Sequence, residues 1–346
     1  MQFNDKYFEP IYQRLLPDLK ELERQRQMLQ GRRKWLWPAG IILLALFVVF
    51  VIIPLHLEET NVPDYQQRVG YLIIGLLLAL GGGMLIRNLL LRQFVLIPLS
   101  KFHEDFKEKI VRPLLRYINA SFDYLPETHI SYEQFIQSGL FARREYELDG
   151  NDLVTGKMGH LSFLVCDLMV TWFPQWISKK QPGDVVFYGS FFIMESPRFF
   201  SNPIYVVSRS ENEGRVFSGG SSDMGFIETW NLGSPVIVSE KSFNEHFEVY
   251  ARDMVEARQL MNNRLLNRIA ALKRDSQTSL YIAFHTNKLY VGINNLQDAF
   301  EFSYDYPIDN KQLLGAYFYN FITQLELLQE LRESISIWTP NVFSRS

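Results

Sequence analysis

LWPAGIILLALFVVFVIIPL, Leu36 to Leu55, contains no charged side chain. At about 1.5 Å per residue, roughly 20 apolar residues in a helix cover about 30 Å, the depth of bilayer hydrocarbon. A buried core helix of this length ordinarily carries at least one polar residue. A signal peptide starts nearer the N-terminus, has a shorter apolar core and ends in a small-x-small site, and this stretch meets none of those conditions. The stretch therefore reads as a membrane span.

A second apolar run follows, YLIIGLLLALGGGMLI from Tyr71 to Ile86, then Arg87-Asn88 and Leu89-Leu90-Leu91. With Arg87 reaching back to the interface, it is long enough to cross. Gly75, Ala79 and Gly83 stand four residues apart and share one helix face. Small residues at that spacing let two backbones approach closely in lipid, the partner being either the first span or a second copy of the chain. Arg32, Arg33 and Lys34 precede the first span, and Arg87, Arg92 and Lys101 follow or end the second. The connecting stretch 56–70 has only Arg68 against Glu58, Glu59 and Asp64. Positive residues favour the cytoplasmic side, so both termini are expected in the cytoplasm.

The flanks are helical. Phe8, Ile11, Tyr12, Leu15, Leu19 and Leu22 fall at helical spacing, with Pro17 expected to kink or break that helix. Phe102, Phe106, Ile110, Leu114 and Ile118 form a similar stripe around Pro113. These two helices either pair as a stalk, cover the following domain or lie on lipid.

From about residue 131 the texture changes. Ser131-Tyr132-Glu133-Gln134 reads as a capping box opening a short helix, ended by Gly139. Glu145–Leu148, Leu161–Trp172, Val185–Met194 and Ile204–Ser208 are β-branched and aromatic, and Asp149–Asp152 reads as a turn. Glu211–Gly225 is Gly/Ser-rich and reads as a mobile loop. Asp253–Lys273 has one apolar helix face, through Met254, Ala257, Met261, Leu265, Ile269 and Leu272. Leu280, Ile282 and Phe284 alternate, as do Leu289, Val291 and Ile293, which predicts a hairpin turning at His285–Lys288. Lys311–Arg332 carries Leu314, Phe318, Phe321, Leu325 and Leu328 on a last helix, with Asp309 as its N-cap.

The expected fold class is α+β: a two-helix transmembrane hairpin, then a cytoplasmic mixed domain with many strands and a C-terminal helix. A pleckstrin-homology-like barrel also fits that strand order. The expected boundaries are a cytoplasmic amphipathic helix at 1–34, the hairpin at 35–92 with spans near 36–55 and 71–91, a helical linker at 93–130, the α+β domain at 131–335 and a tail at 336–346.

Composition narrows the chemistry. Of the chain, 47% is hydrophobic and 14% aromatic, which excludes a disordered chain. A net charge of -3 leaves no nucleic-acid footprint. Cys166 is the single cysteine, so neither an internal disulfide nor a four-cysteine zinc site is available. It sits in the apolar run FLVCDLMV, where a buried structural thiol is expected. Gly150–Lys157, GNDLVTGK, has five residues between its glycines and Met158 after the lysine, so it is not a phosphate loop. Gly219–Gly225 lacks the spacing of a nucleophile elbow. The acidic residues Glu240, Glu245, Glu248, Asp253 and Glu256 suit a solvated surface near a helix start better than a cation site. Neither a cofactor nor a metal is expected.

Two longer stretches resemble a known family. YELDGNDLVTGKMGHLSFLVC, Tyr146 to Cys166, resembles the E-D-x-x-x-G-x-x-G strand pair of the bacterial domain-of-unknown-function family 3137. FEVYARDMVEARQLMNNRLL, Phe247 to Leu266, followed by SLYIAFHTNKLYVGI, resembles its later signature. The motif positions are Asp152, Gly156, Gly159, Asp253, Ala257 and Arg258, and Asn151 departs from the usual acidic residue before the aspartate. The resemblance implies an inner-membrane protein with a LemA-type membrane protein as partner. It implies no catalytic residue, because the family has none assigned.

Three functions follow as expectations. The first is a membrane-anchored interaction or scaffold protein, in contact with the lipid bilayer and binding another protein or forming a homo-oligomer. The second is a lipid- or small-ligand-sensing module. The third is an enzyme drawing on Asp152, Lys157 and Asp253, which requires those residues to share one cleft.

Overall fold

The computed structural model describes residues 5–47, 73, 81, 84–85, 88–141, 145–158, 160–173, 183–209, 232–276, 279–294 and 306–336. Two compact units emerge, one of Asp5–Val111 with Ser303–Lys311, the other built from Arg112–Phe302 and Gln312–Ser346.

The smaller unit is helical. Helix α1 runs unbroken from Asp5 to Phe47. Phe8, Ile11, Leu15, Leu19, Leu22 and Leu29 are buried along one face, each three or four residues from the next except where Arg26 takes the place between the last two. Pro17 neither breaks nor ends this helix. Packing of Leu15 and Leu19 on either side outweighs the lost hydrogen bond and ring clash, worth about 3 kcal/mol. Helix α2, Ile97–Phe106, packs on α1 and buries Phe102 and Phe106. The two flanking helices thus contact each other within this unit.

Two π-helical segments, Arg92–Leu96 and Lys107–Val111, interrupt this second helical stretch. Each ends two residues before a proline, Pro98 and Pro113. A proline ring clashes with the carbonyl four residues back, and a wider turn moves that carbonyl away.

The transmembrane hairpin requires correction. Among the described residues no helix is long and apolar enough to cross a membrane. Leu36–Phe47 instead continues α1, a helix whose preceding turns alternate charged and apolar residues. The rest of the first expected span, the loop 56–70 and most of the second span, with Gly75, Ala79 and Gly83, lie outside the described residues. The supported architecture is mixed α+β around a seven-stranded sheet.

In the larger unit, α3 (Arg112–Ile118) leads to the short edge strand β1 (Asp123–Leu125) and helix α4 (Tyr132–Ile136). The capping box at Ser131 is present: Gln134 N–H donates to the Ser131 hydroxyl, and Ser131 N–H donates to Gln134 Oε1. Three long strands follow, β2 (Tyr146–Met158), β3 (Leu161–Trp172) and β4 (Asp184–Ser208). Then come β5 (Ser234–Pro235), α5 (Lys241–Asn244), β6 (Phe247–Ala251), α6 (Met254–Leu260), α7 (Asn263–Ser276), β7 (Ser279–Asn294) and α8 (Lys311–Ser336). The order is β1-β2-β3-β4-β6-β5, with β7 on β4, and among the described residues every pairing is antiparallel. Among the described residues the path runs open between β1 and β5 and does not close as a barrel.

β4 and β7 organise this sheet. β4 is one strand of 25 residues where the sequence suggests two. Its first half pairs with β3 and its last residues with β6, while β7 pairs with it between Ser190 and Val207. β7 is likewise one strand, not a hairpin. Its two apolar sets differ in parity, because Phe284 and Leu289 are five residues apart. A turn absorbs such a change, and so does an irregularity within one strand. The second occurs here: Thr286 takes φ 57° and the register shifts between Glu195, Phe200 and Ile204. The expected turn at Asp149–Asp152 is absorbed in the same way, as a bulge inside β2 between Asn151 and Val154.

The aromatic core lies where α4 and the segment after it cover the sheet. Phe135, Phe141, Phe187 and Phe191 stack and tilt against one another at centroid distances of 4.7 to 6.1 Å. Elsewhere α8 buries the whole apolar stripe read from its sequence. The single helix expected at Asp253–Lys273 is broken at Met261–Asn262, where the Asn262 side chain accepts from Leu265 N–H and restarts it.

Candidate binding cleft

Strand register lines up four residues of distant sequence position. Lys157 on β2 pairs with Ser162 on β3, and Glu195 on β4 pairs with Lys288 on β7. Leu164 pairs with Ile193, so Ser162 falls opposite Glu195, whose Oε2 accepts the Ser162 N–H at 2.8 Å. One row of side chains therefore crosses four strands. In the next row on the same face stand Thr155, Leu164 and Ile193. Together they line a cleft of about 650 Å³, edged by Ser121 and Gln134.

Lys157 also lines a second groove, of about 320 Å³, with Phe122 and with Ile322, Leu325 and Glu326 of α8. Among the described residues neither Lys157 nor Lys288 has a carboxylate partner, while Glu195 is held by Ser162. The cleft is thus cationic at both ends, acidic between them and apolar on its floor. It is suited to binding, and its polar groups can orient a charged ligand.

The residues singled out from the sequence go to different places. Asp152 is fully buried and lies in the bulge of β2 with φ 60°. Its carboxylate accepts a hydrogen bond from the Tyr124 hydroxyl, and its N–H donates to Pro126 O. Leu153 N–H donates to Thr128 O, so the bulge stitches the 126–130 segment to β2. Burial, then Asp152, push the Tyr124 phenol far above its ordinary range, and the Arg112 guanidinium sits 5.2 Å from that ring. Asp167, also buried, accepts from Ser190 Oγ at 3.0 Å.

Gly156 has a packing reason to be glycine. A Cβ there would lie 2.6 Å from the Phe122 ring and 3.0 Å from Phe163. Gly156→Ala is expected to cost about 1–3 kcal/mol by overpacking, read as a lower denaturant midpoint. An unchanged midpoint would show that Phe122 moves aside freely. Gly159 lies outside the described residues, as does the loop Glu211–Gly225.

Asp253 caps α6, its carboxylate accepting from Val255 and Glu256 N–H at 2.9 and 3.1 Å. Ala257 is in the core and Arg258 is exposed. Asp152, Lys157 and Asp253 therefore do not share the cleft: one is buried, one lines it, one caps a helix. Burial also pushes the Cys166 thiol up to about 12, which keeps it protonated at neutral pH. Among the described residues no three His, Cys, Asp or Glu side chains are arranged to hold a metal. Ser162, Glu195 and Lys288 carry no local motif. Only the register unites them.

Three residues beyond Glu195 on β4 a second feature forms. Arg198 pairs with Glu256 at 3.1 Å and lies 5.6 Å from the Phe200 ring. Their sequence neighbours Phe199 and Val255 are exposed at 66% and 67%.

Residues 185–333 match the family described as "Protein of unknown function (DUF3137)". The matched segment contains β4, β6, β7, α6, α7, Glu195, Lys288 and the motif positions Asp253, Ala257 and Arg258. Asp152, Gly156 and Gly159 precede it. The match supports the family resemblance and does not extend to two membrane spans or a LemA-type partner. No curated protein matches the chain. The crystal structure of the mycobacterial trehalose monomycolate transport factor A aligns over 63% of this chain and 89% of its own. Its identity is 10% and its TM-score 0.31, too low to bear on fold or function.

Proposed function

We propose that this chain is an interaction or scaffold protein whose α+β unit binds another protein or a second copy of itself. The observation that carries this reading is the exposure of two large apolar side chains, Phe199 and Val255, each next in sequence to a member of the Arg198–Glu256 ion pair. Aromatic and arginine side chains of this kind, set against a rigid element, are where interfaces concentrate their energy. The proposal places the protein at a bacterial inner membrane with both termini in the cytoplasm and a LemA-type protein as candidate partner. That placement rests on the family resemblance.

The test is the mass of the intact complex, isolated gently through a tag on the full chain, for the unaltered protein and for Phe199→Asp with Val255→Asp. A stoichiometric assembly that the double substitution dissociates, at unchanged melting temperature, is expected. A bare chain of 40.6 kDa in both cases would defeat the reading.

A second reading, binding of a small ligand, is favoured by the cleft over β2, β3, β4 and β7. Its polar row and apolar floor are those of an orienting site.

A further inference from the structure

We propose that the cleft takes an amphipathic anion, its charged head at Lys157 and its apolar body along Thr155, Leu164 and Ile193. This rests on the small-ligand reading and gives that ligand a chemical class.

Charge supplies the first part of the argument. The row has two ammonium groups against one carboxylate, and Glu195 already accepts the Ser162 N–H. Lys157 stands two strands from Glu195, about 10 Å at roughly 4.8 Å per strand. Lys288 is directly beside Glu195. The Lys157 end is therefore the net cationic end, and the only acid in the row is remote from it. A mobile ammonium with no carboxylate partner among the described residues is a ready contact for a carboxylate or phosphate.

Shape supplies the second part. Leu164 and Ile193 are cross-strand partners on the floor. Gly156 beside Lys157 presents no side chain, and Phe122 and Phe163 close around it. Lys157 belongs to both cavities, so a head placed there has apolar side chains on either side: Leu164 and Ile193 in one, Ile322 and Leu325, beside Glu326 and Arg332, in the other. A fully polar anion would leave these walls unused, and an uncharged apolar ligand would leave Lys157 desolvated and unpaired.

A carboxylate head and a phosphate head share this chemistry, and the experiment separates them. Binding of dodecanoate, dodecyl phosphate, dodecanol and inorganic phosphate would be measured by calorimetry on the full chain, each below its aggregation concentration. Saturable binding of at least one dodecyl anion is expected, with dodecanol and inorganic phosphate each weaker by about tenfold or more. Lys157→Gln should weaken the anion by about tenfold while leaving melting temperature and dodecanol binding unchanged. Lys157 is exposed, so that variant is expected to fold. Equal binding of dodecanol, or an unchanged affinity in Lys157→Gln, would overturn the proposal. Native mass spectrometry of the chain from its own host separates two kinds of failure. A bound small molecule that is not an amphipathic anion overturns this inference and leaves the ligand reading standing. No bound molecule, with no binding of any probe, removes both.

Discussion

Glu23→Ala is expected to destabilise the helical unit by about 1.5–3 kcal/mol, the cost of losing buried hydrogen bonds to a charged group. Glu23 is 6% exposed and Arg26 5%. The Glu23 carboxylate accepts from Arg26 Nε and the second guanidinium nitrogen at 2.8 and 2.7 Å, and from Gln27 at 2.8 Å. It also accepts the Ile308 N–H at 3.1 Å, which ties the 306–311 segment to α1. Tyr12 reinforces that tie by donating to Asp309 O at 2.8 Å. Removing the carboxylate leaves the Arg26 charge in place and frees a buried amide. Hydrogen exchange at the Ile308 amide should speed up markedly, with a fall in thermal midpoint. Retained protection there would sink the account.

The same carboxylate sets an acid limit. Burial opposes its ionisation, but the bonds from Arg26, Gln27 and Ile308 prevail and hold its pKa below the ordinary value. A lowered folded pKa means stability that is complete above the unfolded value, near about 4.3, and is lost as pH falls through the folded one. The Glu23→Gln variant should therefore lose less stability than the native protein between neutral pH and about pH 3. Equal losses would assign the acid sensitivity elsewhere.

Asp152→Ala is expected to cost about 2–4 kcal/mol, from two separable sources. The Tyr124 hydroxyl, buried at 1% exposure, loses its acceptor. Alanine must also occupy φ 60°, a region that aspartate tolerates better. Asp152→Gly removes the acceptor without the backbone strain, and Asp152→Asn keeps both an acceptor and the tolerance. The expected order of stability is native, Asn, Gly, Ala, measured by denaturant unfolding. An alanine variant within about 0.5 kcal/mol of native would mean that the bulge is not held by this side chain.

Much of the α+β unit was legible where physics is local. The capping box at Ser131, the span of β3 and the buried stripe of α8 follow from side chains that act within a few residues of themselves. Asp253 as a helix start is of the same kind. The errors share a cause. A change of apolar parity reads as a turn at His285–Lys288 and at Asp149–Asp152, yet a bulge satisfies the same pattern when a long partner strand is present to hold it. Pro17 reads as a kink or a break, and α1 runs on past it without a break. The uncharged run after Leu36 reads as a span, and its described portion extends a helix of mixed polarity instead.

Sequence alone determined where helices start, which faces are apolar and that Cys166 is buried, because those depend on spacing and on side-chain chemistry close by. Only the tertiary structure decided that Lys157, Ser162, Glu195 and Lys288 form one row. Their union depends on the register of four strands, and register is set by the collective fit of β4 and β7 rather than by any residue's neighbours in the chain.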